Sequence, residues 1–166
     1  MYTIISGTNR KGSNTIKIAE QYRQLLSRKG IEANLVSLEG LEVTSRNPDL
    51  VELEKSILVP TQKFIFVTPE YNGSIPGVLK CLMDSSDIQP TWWGKKALLV
   101  GVSTGRAGNL RGMEHLTGIL NYLKVVVHPN KLPISVVHVI LNVDGTIKDE
   151  LTLQAIDHQL EEFIHF

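Results

Sequence analysis

The chain has one cysteine in 166 residues, no excess of charge of either sign, and no apolar run near the roughly 18 residues that a membrane span requires. Each scarcity excludes something. Cys81, being alone, cannot close an internal disulfide. Seventeen basic residues balance seventeen acidic ones, and no block of five like charges occurs, so neither nucleic acid nor an anionic membrane is expected as a partner. Met1 to Ile5 leads straight into an apolar segment without the basic start and cleavage site of a secretory leader, which makes the cytoplasm the expected location. Histidines 115, 128, 138, 158 and 165 show no metal-ligand spacing, so no metal is expected. A glycine fingerprint of the Gly-x-Gly-x-x-Gly type follows none of the apolar runs, which argues against dinucleotide binding in the usual Rossmann manner. A nucleoside-triphosphate loop is also missing its cation: Gly7 and Gly12 have the right spacing, but Ser13 stands where the lysine belongs.

What is present is an alternation. Hydrophobic residues make up 42% of the chain and charged ones 20%, the usage of one soluble domain spanning 1–166. Short apolar runs at Tyr2 to Ser6, Glu32 to Leu38, Lys63 to Val67, Ala97 to Val102 and Val125 to Val127 read as strands. Segments of helical periodicity separate them, at Ser13 to Lys29, from Pro48 through Ile57, Pro76 to Ser86 and Asn109 to Leu123, with a last one at Asp149 to Ile164. Five strands alternating with helices imply an α/β fold with an open parallel sheet covered on both faces. The stretch Ile134 to Val143 stays open between a further strand and a cover for the core, and Asp144-Gly145 after it signals a turn.

In such a sheet, ligands lie beyond the carboxyl ends of the strands where the strand order reverses, which draws attention to the loops after strands one, three and four. Ser6 to Thr15 combines small residues, hydroxyls and cations just before a helix, a composition suited to a phosphate monoester at a helix N-terminus. The same residue types also build any tight strand-to-helix turn. Thr68 to Ser74 offers polar main chain held by Pro69 and Gly73, with Tyr71 as a flat wall. Ser103 to Asn109 offers small residues that admit a planar ring close to the main chain. Together the three loops describe a mononucleotide bearing a large ring.

Three segments carry a family resemblance: Gly7-Thr8-Asn9-Arg10-Lys11-Gly12-Ser13-Asn14-Thr15, then Pro69-Glu70-Tyr71-Asn72-Gly73-Ser74-Ile75-Pro76 with Leu79-Lys80 and Asp84, and Ser103-Thr104-Gly105-Arg106-Ala107-Gly108. In this order they resemble the signatures of the NADPH-dependent FMN reductases, among them quinone, chromate and azo-dye reductases. The resemblance implies a flavodoxin-like three-layer sandwich, with a five-stranded parallel sheet in the order 2-1-3-4-5. It implies FMN as cofactor and NADPH or NADH as co-substrate. Hydride would pass in two steps from NAD(P)H through FMN to a small quinone-like acceptor, with no catalytic side chain required because the flavin carries the chemistry. Thr8, Arg10, Ser13, Asn14 and Thr15 would hold the phosphate end; Pro69, Glu70, Tyr71, Asn72 and Gly73 would border the ring and ribityl chain; Ser103, Thr104, Gly105 and Gly108 would close the remaining edge. A homodimer with flavin near the interface is implied too, with pairing into tetramers left open. The chain departs from the family pattern at Thr8, Thr15, Cys81 and Asn109, where serine, asparagine, asparagine and glycine are common.

Among the remaining residues, Arg106 and Lys11 are the cations best placed for a nicotinamide dinucleotide phosphate. Cys81 reads as a small core residue rather than a nucleophile, and Trp92-Trp93 as a packing or subunit anchor. His158 and His165 are expected to be solvated. An electron carrier would share the fold, yet such carriers are typically strongly acidic, which the balanced charge disfavours. A flavodoxin-like interaction module without FMN is the other non-enzymatic reading, and flavin occupancy separates it from the flavoprotein readings.

Overall fold

Ile4 and Ile5 are neighbours in a strand and so point to opposite faces of its sheet, yet both are fully buried, as only a sheet covered on both sides allows. The computed structural model, which describes residues 1–166, shows the covers. The sheet contains β1 (Tyr2–Ser6), β2 (Ala33–Ser37), β3 (Lys63–Pro69), β4 (Lys96–Val102), β5 (Val126–Val127) and β6 (Leu132–Ile134). Ile4, Ile65, Val67, Leu98 and Val100 face α1 (Asn14–Arg28) and α7 (Glu150–His165), against Ile18, Tyr22, Leu26, Ile156 and Phe163. Ile5, Phe64, Phe66 and Leu99 face the other layer, made by α2 (Pro48–Leu53), α3 (Gly77–Ser85), α4 (Ile88–Trp92) and α5 (Leu110–Tyr122). A last short helix, α6, covers Val137–Ile140.

All strand pairs are parallel, and the main path runs β2-β1-β3-β4-β5. The chain steps outward from β1 to β2 and then returns past β1 to β3, so the order reverses between β1 and β3. β1 ends at Ser6 opposite Val67, and β3 runs on to Pro69. That is where an open α/β sheet leaves a crevice.

The expected order is the observed one, with a refinement at the fifth strand. Val126–Val127 pairs with the start of β4, the chain then bulges outward, and β6 resumes the pairing along Val100–Val102. The stretch left open by the sequence therefore does two things: its start, Ile134, closes β6, and α6 then covers the core through buried Val137. Across the gap between β5 and β6 the side chain of Gln159 ties β4 to the bulged chain. Its Nε2 donates to the Leu99 carbonyl at 3.2 Å and the Asn130 carbonyl at 2.7 Å, and its Oε1 accepts from the Tyr22 hydroxyl at 2.7 Å.

Two further differences have local causes. The helix from Pro48 widens over Glu54–Leu58 into a π-helical turn that carries buried Glu54, whose carboxylate is paired by Arg46 at 2.7 Å. Pro90 lies inside the unanticipated α4, which brings Trp92 into full burial with its indole N–H donating to Ser86 Oγ at 2.9 Å. Trp93 stays at the surface beneath the Lys124 ammonium, 3.6 Å from its ring centre. Cys81 is half-buried against the core, and His158 and His165 are exposed.

At the amino end of the strands, away from the crevice, Lys95 is buried, with Nζ donating to the Leu58 and Val59 carbonyls at 2.9 and 2.6 Å. Loss of water around the ammonium lowers its pKa from 10.5 to about 8. Between those values the unfolded chain holds a proton that the folded chain has released, so raising the pH favours the folded state at this residue. Lys95→Met removes that contribution. From pH 7.5 to 9.5 the wild type is expected to gain melting temperature relative to the variant, as thermal unfolding monitored by circular dichroism would show.

Candidate functional site

The loop leaving β1 turns sharply into α1. Gly7 begins the turn with its N–H on the Val67 carbonyl at 2.8 Å, tying the loop to β3. A side chain on Gly7 would reach Leu79 at 3.0 Å, so the residue must be small. Ser13 is the N-cap of α1, accepting from the Ile16 N–H at 3.2 Å. The N–H groups of Ser13, Asn14 and Thr15 meet no acceptor in the chain, as the first turn of a helix leaves them, and neither does that of Lys11 just before it, while the Gly12 N–H donates to Glu39 Oε2 at 3.4 Å. Arg10 stands beside this turn and makes no ion pair.

The loop leaving β3 reverses at Tyr71 and Ser74, which exchange both backbone hydrogen bonds, at 2.9 and 3.1 Å. Asn72 and Gly73 between them have φ values of 52° and 79°, a left-handed pair that Asn-Gly adopts at low cost. The Tyr71 and Thr8 hydroxyls are 2.5 Å apart in a hydrogen bond, and the Arg10 guanidinium lies 4.2 Å from the Tyr71 ring centre. At the other end of the turn, Ser74 Oγ is 2.9 Å from His115 Nδ1 on α5.

The loop leaving β4 folds on itself and onto the segment after β6. Ser103 Oγ donates to the Gly105 carbonyl at 2.9 Å and accepts from the Gly108 N–H at 3.0 Å. The Ser103 N–H donates to Ile134, Val136 donates to Gly105, and Val137 donates to Ser103, at 2.9–3.0 Å. Val136 has φ 47°, a costly conformation for a β-branched residue. The close approach at Gly108 serves this packing, since an added Cβ would meet Pro133 at 2.6 Å.

These loops surround a cleft of about 240 Å³ over the β1/β3 reversal. Of the residues expected from the sequence, Arg10, Ser13, Asn14, Thr15, Pro69, Glu70, Tyr71, Ser103 and Thr104 line it. Thr8 does not; it is buried behind the cleft, engaged by Tyr71 and the Arg10 N–H. Asn72, Gly73, Gly105 and Gly108 shape their loops without lining the cleft, and Arg106 is likewise outside it. Lys11 does line it. The sequence reading missed Val102 and Val137. Val102 ends β4, where the carboxyl-end rule could have found it; Val137 arrives through long-range hydrogen bonds that no local pattern announces. Free helix amides beside Arg10 and Lys11 suit a phosphate, and the apolar edges of Val102, Val137 and Pro69 suit a ring, so the residues present fit a flavin mononucleotide.

The fold and cleft define a flavodoxin-like protein. The family model for NADPH-dependent FMN reductase matches residues 2–138, and the chain belongs to that family. The NAD(P)H-dependent FMN reductase of Pseudomonas aeruginosa is 30% identical, covering 95% of this chain and 89% of its own. The 2-hydroxy-1,4-benzoquinone reductase of a Burkholderia species is 29% identical over 74% of this chain and 71% of its own. The solved flavoenzyme NAD(P)H:(acceptor) oxidoreductase of Paracoccus denitrificans superposes with TM-score 0.79 at 22% identity, over 99% of this chain and 94% of that one. The chain is thus an FMN-dependent oxidoreductase that draws on NAD(P)H.

Proposed function

We propose that residues 1–166 form one FMN-binding domain that reduces quinone-like acceptors with NAD(P)H. The observation that carries this reading is the row of unsatisfied amides at Lys11, Ser13, Asn14 and Thr15, set beside Arg10 at the strand-order reversal. They would bind the phosphate, with Ser13 and Thr15 hydroxyls adding donors. Pro69 and Glu70 would border the ring on one side, and Ser103 and Thr104 on the other, with Asn72, Gly73, Gly105 and Gly108 setting the shape of those loops. Thr8 would act from behind the cleft. When bound, FMN supplies the hydride chemistry. No histidine or cysteine lines the cleft, in keeping with an acceptor that needs no covalent help from the protein. The quinone class is suggested by relatives named for quinone reduction.

The cleft is smaller than the 300–1,000 Å³ typical of pockets that enclose a drug-sized ligand, so the flavin would keep a face open to a second molecule. NAD(P)H and the acceptor would use that face in turn. A homodimer is part of the proposal, supported by an apolar groove between α3 and α5 that includes Met83, Ile119 and the exposed Tyr122. A single cysteine, which closes no internal disulfide, supports a cytoplasmic setting.

Purified chain supplied with FMN is expected to show a visible flavin spectrum that bleaches with NADPH under anaerobic conditions and returns on addition of 1,4-benzoquinone. A chain that takes up no FMN would overturn the reading; obligatory ternary-complex kinetics would overturn the alternating use of one face.

A further inference from the structure

We infer that Tyr71 is a positioning residue for the cofactor's phosphate, acting through Arg10, rather than a wall for the ring. The inference rests on the flavin reading above and assigns Tyr71 a different task within it. Three contacts form a closed circuit. The Arg10 N–H donates to Thr8 Oγ1 at 3.3 Å, the Thr8 and Tyr71 hydroxyls are bonded at 2.5 Å, and the Tyr71 ring lies under the Arg10 guanidinium at 4.2 Å. One end of the arginine is therefore fixed by its main chain and the other by the ring, with Thr8 joining the two.

An exposed arginine normally keeps many rotamers and must lose them when it grips an anion. Here no carboxylate competes for Arg10, and the tyrosine already holds the guanidinium beside the free amides of Ser13 and Asn14. A cation over an aromatic face is attracted to it, and a guanidinium held by its face keeps its N–H groups available for hydrogen bonds to phosphate. Tyr71 is itself immobilised from two sides. Its hydroxyl is tied to Thr8, and the turn that carries it is tied through Ser74 to His115 on α5. The phosphate loop and the turn after β3 thus form one unit, and a ligand with a phosphate gains from that unit while a ligand without one does not.

Riboflavin, which is FMN without its phosphate, is the natural probe. Dissociation constants for FMN and riboflavin would be measured by quenching of flavin fluorescence on the wild type, Arg10→Gln, Tyr71→Leu, Tyr71→Phe and Arg10→Gln/Tyr71→Leu, each checked for folding by circular dichroism. Arg10→Gln is expected to weaken FMN by roughly tenfold or more, the worth of a charge-assisted hydrogen bond. Tyr71→Leu is expected to weaken FMN by at least about threefold and leave riboflavin within about twofold, with the double variant no worse than Arg10→Gln alone. Tyr71→Phe keeps the aromatic face and is expected to recover part of the loss. Additive losses in the double variant, or equal losses of FMN and riboflavin in Tyr71→Leu, would overturn the positioning role alone. A wild type that binds neither flavin would overturn the flavin reading, and this inference with it.

Discussion

Gln159→Leu is expected to lower the stability of the folded chain by about 2–4 kcal/mol. The reason lies at the broken sheet edge. The β5 pairing ends opposite Ala97 and the β6 pairing begins at Val100 opposite Leu132, and the residues bulged out between them leave the Asn130 carbonyl without a backbone donor. Gln159 is fully buried and supplies that donor, adds a second one at the Leu99 carbonyl beside the β6 strand, and accepts from the Tyr22 hydroxyl. Leucine is apolar and one bond shorter, so the buried Tyr22 hydroxyl and the part-buried Asn130 carbonyl lose their partners at about 1–3 kcal/mol each, less whatever water recovers at Asn130, while Leu99 loses only its second donor. At roughly 2–4 °C per kcal/mol for a chain of this size, the melting temperature should fall by about 5–15 °C. Tyr22→Phe removes the partner of one bond only and is expected to cost about 1 kcal/mol. The double variant Tyr22→Phe/Gln159→Leu should cost less than the sum, because Phe leaves no hydroxyl stranded. Calorimetric melting of the three variants measures this; a Gln159→Leu melt within 3 °C of the wild type would refute it.

Gln159 also marks where the sequence stops being legible. The regular part of the fold follows from period and punctuation: Ser13 and Asn47 cap the helices they precede, and the β-branched and aromatic runs of β3 and β4 are buried on both faces. Those signals are local, and they suffice to place the three loops at one sheet edge. The broken fifth strand depends on contacts between Leu99, Asn130 and Gln159, residues far apart in the chain, and a glutamine in an amphipathic helix looks like a solvated one. The same holds for Val137, brought to the cleft by main-chain bonds to Ser103, and for Thr8, whose hydroxyl is taken by Tyr71. The sequence leaves the Trp92-Trp93 pair between core packing and a subunit contact, and Trp92 takes the core; the helix around it goes unannounced because proline usually breaks a helix, although at the start of a short one it costs no hydrogen bond.

At the site itself, Gly101→Ala is expected to abolish tight flavin binding and to cost about 1–3 kcal/mol of stability, although Gly101 does not line the cleft. Gly101 sits in β4 directly beneath the loop that follows it. A Cβ there would lie 2.0 Å from the Gly108 carbonyl oxygen and 2.9 Å from Met113 Cε. The methionine can yield, being flexible. Gly108 cannot retreat freely, because its N–H is bound to Ser103 Oγ at 3.0 Å and its α-carbon faces Pro133. The carbonyl must therefore move by about 1 Å, and Ser103 and Thr104, which line the cleft, move with it. Displacements of that size at a positioned group are enough to cost about a hundredfold in function. Gly118→Ala is the matched control: the same methyl, placed on α5 in the groove proposed for the dimer and away from the cleft, meets nothing within 4 Å in its own protomer. It is expected to stabilise the helix by about 0.5–1 kcal/mol and leave flavin affinity unchanged. Fluorescence titration with FMN, paired with thermal melts, separates the two. Equal flavin affinity in Gly101→Ala and Gly118→Ala would mean that the loop after β4 tolerates displacement and does not set the edge of the cleft. Loss confined to Gly101→Ala would mean that the close packing of β4, Gly108 and Pro133, rather than any cleft side chain, holds that edge in place.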